Sequence, residues 1–253
     1  MGRRMRVAAA IGAIGLLFVL PGTGRGDSID GYAGTSWIDN PLVPCETASI
    51  GWRDSSPRGK PFRKGRLVRG VQLPADGDFF FTWDFPLSIA PNEGWRRWGV
   101  DGTIREVLTV LCEFRMANPT APRVGVADIA RTRGGFFGAR FGGEGHSSHQ
   151  NGLDVDVLYP RIDRLEAGST KPYQVDQFLA QDLVNRFVAL GPKFVFVGPH
   201  LHLTGPKGVV VKLAGHDDHF HVRFRKPLVT KPPPPAPGTN PSPLAPPPIG
   251  AGA

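Results

Sequence analysis

The sequence predicts an α+β fold: a single domain with a central antiparallel sheet flanked by helices. Two observations carry this expectation. Short apolar runs rich in Val, Ile and Phe recur between turn residues, and two longer stretches place apolar residues at helical spacing, with no internal repeat. Patterning begins at about Arg66, where Leu67-Val-Arg-Gly-Val-Gln-Leu73 and Phe79-Phe-Phe-Thr-Trp83 read as strands. Residues 103–116 carry Ile104, Val107, Leu108, Val110 and Leu111 on one helical face. Residues 124–129 read as a short strand leading into a Gly-rich loop at residues 134–145. A second helix follows over residues 175–190, with Val175, Phe178, Leu179, Leu183 and Phe187 on one face and Gly191-Pro192 as its stop. Strands at residues 194–197, 209–213 and 220–224 complete the pattern, and residues 65–227 are enough chain for a substantial core.

The chemistry is concentrated in two strings, Glu144-Gly-His-Ser-Ser-His149-Gln-Asn-Gly-Leu-Asp154-Val-Asp156 and His216-Asp-Asp-His219-Phe-His221, which hold five of the seven histidines. Alternate residues of a strand share a face. Asp154 and Asp156 therefore look one way while Leu153, Val155 and Val157 look into a core, and His219 and His221 repeat that geometry beside Phe220 and Val222. Two adjacent strands of this kind, with His149 from the preceding loop, bring two imidazoles and one carboxylate to one point. Three protein ligands and a fourth position for water make the catalytic form of a zinc site, here a zinc site on the sheet. His200 and His202 form another His-x-His, but Gly-Pro brackets them on both sides and the stretch reads as loop.

The spacing His149-x6-Asp156 followed by His219-x-His221 resembles the signature of the metallopeptidase group that includes lysostaphin-type endopeptidases, D-Ala-D-Ala peptidases and the Hedgehog signalling domain. Within that group, Asp128-Ile-Ala-Arg-Thr-Arg-Gly-Gly135, His146-Ser-Ser-His-Gln-Asn-Gly-Leu-Asp-Val-Asp156 and His216-Asp-Asp-His-Phe-His-Val-Arg223 are similar to penicillin-insensitive murein endopeptidase. The resemblance implies that His149, Asp156 and His221 hold zinc, that His219 is the general base, and that His146 and His216 line the site. It implies peptidoglycan as the partner and cleavage of cross-links between stem peptides as the reaction. A D,D-carboxypeptidase trimming a terminal D-Ala, and a non-catalytic zinc-containing wall-binding module, are the alternatives. The Gly-rich insertion at residues 136–145 is longer than the family pattern leads one to expect before the first ligand.

These residue types suit amide hydrolysis. Zinc lowers the pKa of its water to about 7 and polarises the scissile carbonyl, and a neutral imidazole is suited to move the proton near that pH. His219, two residues from ligand His221 on one strand face, is the expected base. Asp218 is the competitor, but an odd offset along a regular strand points it away. Arg133 is the cation proposed for a developing oxyanion or a substrate carboxylate, with a solvated loop arginine as the plain alternative.

The start of the chain leads us to expect this chemistry outside the cytoplasm. A basic start, Met1 to Arg6, precedes a fourteen-residue apolar run, Val7 to Leu20, too short for a comfortable membrane span. Residues 1–26 read as a signal peptide of a periplasmic or secreted protein, with retention as an uncleaved anchor as the alternative. No later stretch is apolar enough for stable membrane insertion. The two cysteines, Cys45 and Cys112, form an even pair that predicts a disulfide in an oxidising compartment, about 4 kcal/mol of loop-closure stabilisation, against two buried thiols as the alternative. Removing residues 1–26, with four arginines and no acid, lowers the net charge from +8 to +4. Residues 53–69 hold seven basic residues against one acid, which points to an anionic wall polymer rather than nucleic acid, or simply to a solvated loop. Residues 27–64 read as an irregular N-terminal segment. Residues 228–253 read as a Pro-rich disordered tail; eleven of the 26 prolines lie from Pro227 onward.

Overall fold

Alternation decides the architecture. Val155 and Val157 on one strand, and Phe220 and Val222 on its neighbour, are fully buried against the helices, while the residues between them are polar and face the other side. A computed structural model describes residues 50–138 and 147–225, all within one compact unit, Pro44–Ala253. Along the chain come β1 (Ser56–Lys60), β2 (Arg63–Val68), β3 (Val71–Gln72), β4 (Phe80–Thr82), β5 (Trp98–Gly99), α1 (Asp101–Ala117), β6 (Val124–Val126) and β7 (Asp154–Leu158). Then follow α2 (Gln177–Ala189), β8 (Phe194–Val197), β9 (Val210–Lys212) and β10 (His219–Arg223). The fold is α+β.

Six strands form the main sheet in the order β4-β6-β7-β10-β8-β9. Its middle, from β6 to β8, is antiparallel as expected, but β4 on β6 and β9 on β8 are parallel. The sheet is therefore mixed. Helix α1 separates β4 from β6 in sequence, and such a crossover returns the chain parallel. The two helices pack on each other and on the apolar face, where Ile104, Leu108, Leu111, Leu183 and Phe187 join Val195 and Phe220 in one core. Each such side chain contributes about 1.5–3 kcal/mol by leaving water.

Helix α2 begins where Asp176 accepts hydrogen bonds from the backbone of Phe178 and Leu179 at 3.2 and 3.1 Å, an N-cap worth about 1 kcal/mol. Its buried face is Ala180, Leu183, Val184 and Phe187. Phe178, expected on that face, is 86% exposed: it sits five residues, not three or four, before Leu183 and so looks elsewhere.

Two further expectations are corrected. The strand expected over residues 67–73 is broken into β2 and β3, because Arg69 adopts φ +52°. The segment before residue 65, expected to be irregular, is already a hairpin from Ser56, with β1 antiparallel to β2. That hairpin is fastened at its base, where Asp101 at the start of α1 accepts from the backbone of Arg53 and Ser55 at 2.8 and 2.7 Å. Cys112 is buried in α1, and Cys45 lies outside the described residues, as do the signal segment and the Pro-rich tail. No described helix is long and apolar enough to cross a membrane.

Candidate metal centre

Strands β7 and β10 lie side by side with His221 opposite Asp156 and Arg223 opposite Asp154. Their polar residues therefore share one face. His149 reaches the same point from the loop before β7, and it does so at φ +62°, a left-handed conformation uncommon for non-glycine residues. Gly134 lets the neighbouring loop come close enough to brace it: a Cβ there would lie 2.2 Å from the Gln150 carbonyl oxygen. All three residues are buried, and their ligand atoms lie within 4.8 Å of one another.

The surrounding hydrogen bonds fix which nitrogen of each ring faces inward. His149 Nδ1 stands 2.9 Å from the Ile129 carbonyl, which only accepts, so Nδ1 carries the proton and Nε2 keeps its lone pair. His221 Nε2 stands 2.9 Å from Asp154 Oδ1, so its Nε2 donates and Nδ1 is the bare nitrogen. The two bare nitrogens are 3.1 Å apart, with Asp156 oxygens 2.8 Å from His221 Nδ1 and 3.2 Å from His149 Nε2. Electron-rich atoms this close repel unless a proton or cation lies among them. A tetrahedral ion with bonds of about 2.0–2.1 Å needs ligand atoms about 3.3 Å apart, so the donor set fits one.

Asp154 is the hub behind the ligands. Besides the His221 ring, it accepts from Arg223 Nε at 2.7 Å and from the His149 backbone at 3.2 Å. Burial alone would raise its pKa, but the hydrogen bond and charge of His221, with His149 and Arg223, hold it well below the usual carboxylate range. Asp156 is likewise held down, against its burial, by His149 and His219. Burial would lower the His221 pKa, yet the hydrogen bonds and charges of Asp154 and Asp156 raise it.

His219 stands one step away. Its Nε2 is 3.7 Å from Asp156 Oδ1 and its Nδ1 is 2.7 Å from Asp218 Oδ1, while Phe85 packs on the ring at 5.1 Å. Asp218 is thus not turned away. It precedes β10, where the turn frees its carboxylate to swing back onto its own neighbour. His216 lies 4.9 Å from His219, ring to ring, and its pKa is lowered to about 4 by burial and by His219, which leaves it neutral at pH 7.

These groups open into a cleft of roughly 890 Å³, also lined by Phe62, Phe196, Arg96 and Arg223. Arg133 is exposed and does not line it, and His146 lies outside the described residues. His200 and His202 are exposed loop residues away from the cleft, as their Gly-Pro context suggested. Sequence reasoning missed Arg96, which is 2% exposed, bonds Asp128 through Nε at 2.7 Å and Nη2 at 2.5 Å, and stacks on Trp95 and Phe137. Only its partner's presence in the Asp128-Ile-Ala-Arg string hinted at it.

A mixed sheet presenting His, Asp and His to an open cleft, with a further histidine beside them, has the make-up of a metal-dependent hydrolase. A family model described as penicillin-insensitive murein endopeptidase matches residues 60–189. The chain belongs to that family of peptidoglycan-hydrolysing metallopeptidases. The match ends before β8, so His219 and His221 join His149 and Asp156 by the register of the sheet. No curated protein matches the chain.

Proposed function

We propose that the chain is a zinc-dependent endopeptidase that hydrolyses amide cross-links between peptidoglycan stem peptides, with His149, Asp156 and His221 as ligands and His219 as general base. The convergence of two lone-pair nitrogens and a carboxylate within about one tetrahedral edge carries this reading. Imidazole with carboxylate suits zinc. Bound there, zinc would supply an acidified water and polarise the scissile carbonyl.

The chain's own residues do the rest. Asp218 accepts from His219 Nδ1–H and so keeps Nε2 unprotonated toward the cleft. That nitrogen takes the proton of the attacking water and returns it to the leaving amine. His216 donates through Nδ1 to the Ala214 carbonyl at 3.1 Å and presents Nε2 as an acceptor to the substrate. Arg96 and Arg223 are the cleft's arginines and take the substrate-contacting role that the sequence offered to Arg133, which does not line the cleft; His146, which lies outside the described residues, stays a proposed substrate contact by the family resemblance alone. The size of the cleft suits an extended peptide on both sides of the scissile bond better than a lone terminal D-Ala. Export by residues 1–26 and a Cys45–Cys112 disulfide complete the proposal.

Cross-linked muropeptide dimers test it. Dimers should become monomers, chelator should stop the conversion, and β-lactams should not. Faster release of D-Ala from monomeric pentapeptides than loss of dimers would replace the endopeptidase with a carboxypeptidase; zinc-loaded protein that changes neither would leave a wall-binding module.

A further inference from the structure

The hairpin β1–β2 is built against its own electrostatics. Arg58 stands directly opposite Arg66, and Lys60 opposite Arg63, with Lys64 between them in sequence. Like charges directly opposite on a sheet destabilise it. All five side chains are exposed, and none makes an ion pair or side-chain hydrogen bond among the described residues. A hairpin that needed only solubility would intersperse carboxylates.

The same hairpin is fixed to the metal centre. Gln150, the residue after ligand His149, accepts from Gly65 N at 3.2 Å and donates its own N–H to the Pro61 carbonyl at 3.0 Å. Phe62 at the hairpin tip lines the cleft, where the Arg223 guanidinium stacks over it at 5.7 Å. The charged hairpin is therefore fastened beside the metal centre, with its tip residue Phe62 at the cleft.

We propose that β1–β2 is an anion-binding rail that holds the carboxylate-bearing peptide–glycan polymer beside the cleft. The inference rests on the peptidoglycan reading above for the identity of the polymer. Stem peptides carry free carboxylates at regular intervals along each strand, and a cluster of exposed guanidinium and ammonium groups, Lys60 resting over the Phe62 ring at 6.0 Å, complements such a chain better than it does a short soluble fragment. The rail should raise the local concentration of polymer at the site without taking part in bond cleavage.

The test uses the full chain with the changes Arg58→Gln, Arg63→Gln, Lys64→Gln and Arg66→Gln together. Sedimentation with insoluble sacculi in chelator reads binding without turnover. Wild type should bind, and the bound fraction should fall as salt shortens the Debye length from about 10 Å at 0.1 M. The variant should bind at least ~10-fold more weakly and digest sacculi correspondingly more slowly, while soluble muropeptide dimers are cleaved at the wild-type rate. Equal binding by the variant, or an equal loss on soluble dimers, overturns the rail. Loss of wild-type binding after acid removal of phosphodiester-linked polymers from the sacculi overturns the carboxylate assignment in favour of a phosphate polymer. If wild type cleaves neither substrate, the endopeptidase reading fails while the sedimentation result still judges the rail.

Discussion

The two faces of the central sheet are both dry at their centre and oppositely made. On one, Val155, Val157, Phe220 and Val222 are 0% exposed under the helices; on the other, Asp154 and Asp156 are 0% exposed and His221 5%. The first face is stabilised by removing apolar area from water. The second gains nothing from that source and must balance buried charge with hydrogen bonds, because an isolated buried ion costs several kcal/mol. One face makes the sheet fold; the other is what the folded sheet makes possible.

Breaking the polar face should abolish function and spare the fold. His149→Ala, Asp156→Ala and His221→Ala should each drop zinc content well below one per chain and leave no measurable cleavage of dimers, with the far-ultraviolet circular dichroism retained; full occupancy in all three would end the ligand assignment. Breaking the apolar face should do the reverse. Phe220 packs on Phe187 at 5.5 Å and Tyr159 at 5.6 Å, and Phe220→Ala should cost about 3–5 kcal/mol in denaturant unfolding.

Smaller changes sharpen the contrast. His219→Ala should keep zinc and stability while losing at least ~10²-fold in turnover, since it removes proton transfer and not a ligand. Retained turnover there, with loss in Asp218→Ala, would move the base to Asp218. Asp154→Asn should weaken zinc binding about 10–100-fold in competition with a chelating dye, because it loosens the partner that sets the His221 tautomer.

The smallest effect concerns pH. In chelated protein His221 has a raised pKa, so its contribution is full below about 6.5 and is lost as pH rises through the folded value. Asp154 and Asp156 are lowered, so theirs is full above about 3.9 and is lost as pH falls through their folded values. Chelated protein should therefore melt highest between about pH 4 and 6.5 and decline by a few °C above that, a decline that zinc removes; melting curves across pH with and without chelator check this.

What could be read in advance follows from periodicity. Strands β7 and β10 were legible because apolar and metal-competent residues alternate with period two, and helix α1 because its apolar residues recur every three or four. The hairpin β1–β2 was not, since charged residues occupy both strands and only Gly65 and Leu67 of β2 are buried. The parallel edges of the sheet were invisible because direction is set by the crossover through α1 and by the connection from β8 to β9, neither of which leaves a mark in strand composition. Asp218 was misjudged by extending strand alternation one residue past the point where β10 starts.

The hub carboxylate Asp154 and the Ile129 carbonyl have one more consequence. They hold both imidazoles in their final bearings through bonds internal to the protein, so the frame for the ion is complete at the end of folding. Metal exchange through the open cleft should then need no chain rearrangement, and other ions that accept two nitrogens and an oxygen in a tetrahedron, cobalt among them, should enter on equal structural terms. Which ion is resident would be decided by supply in the surroundings as much as by the cage.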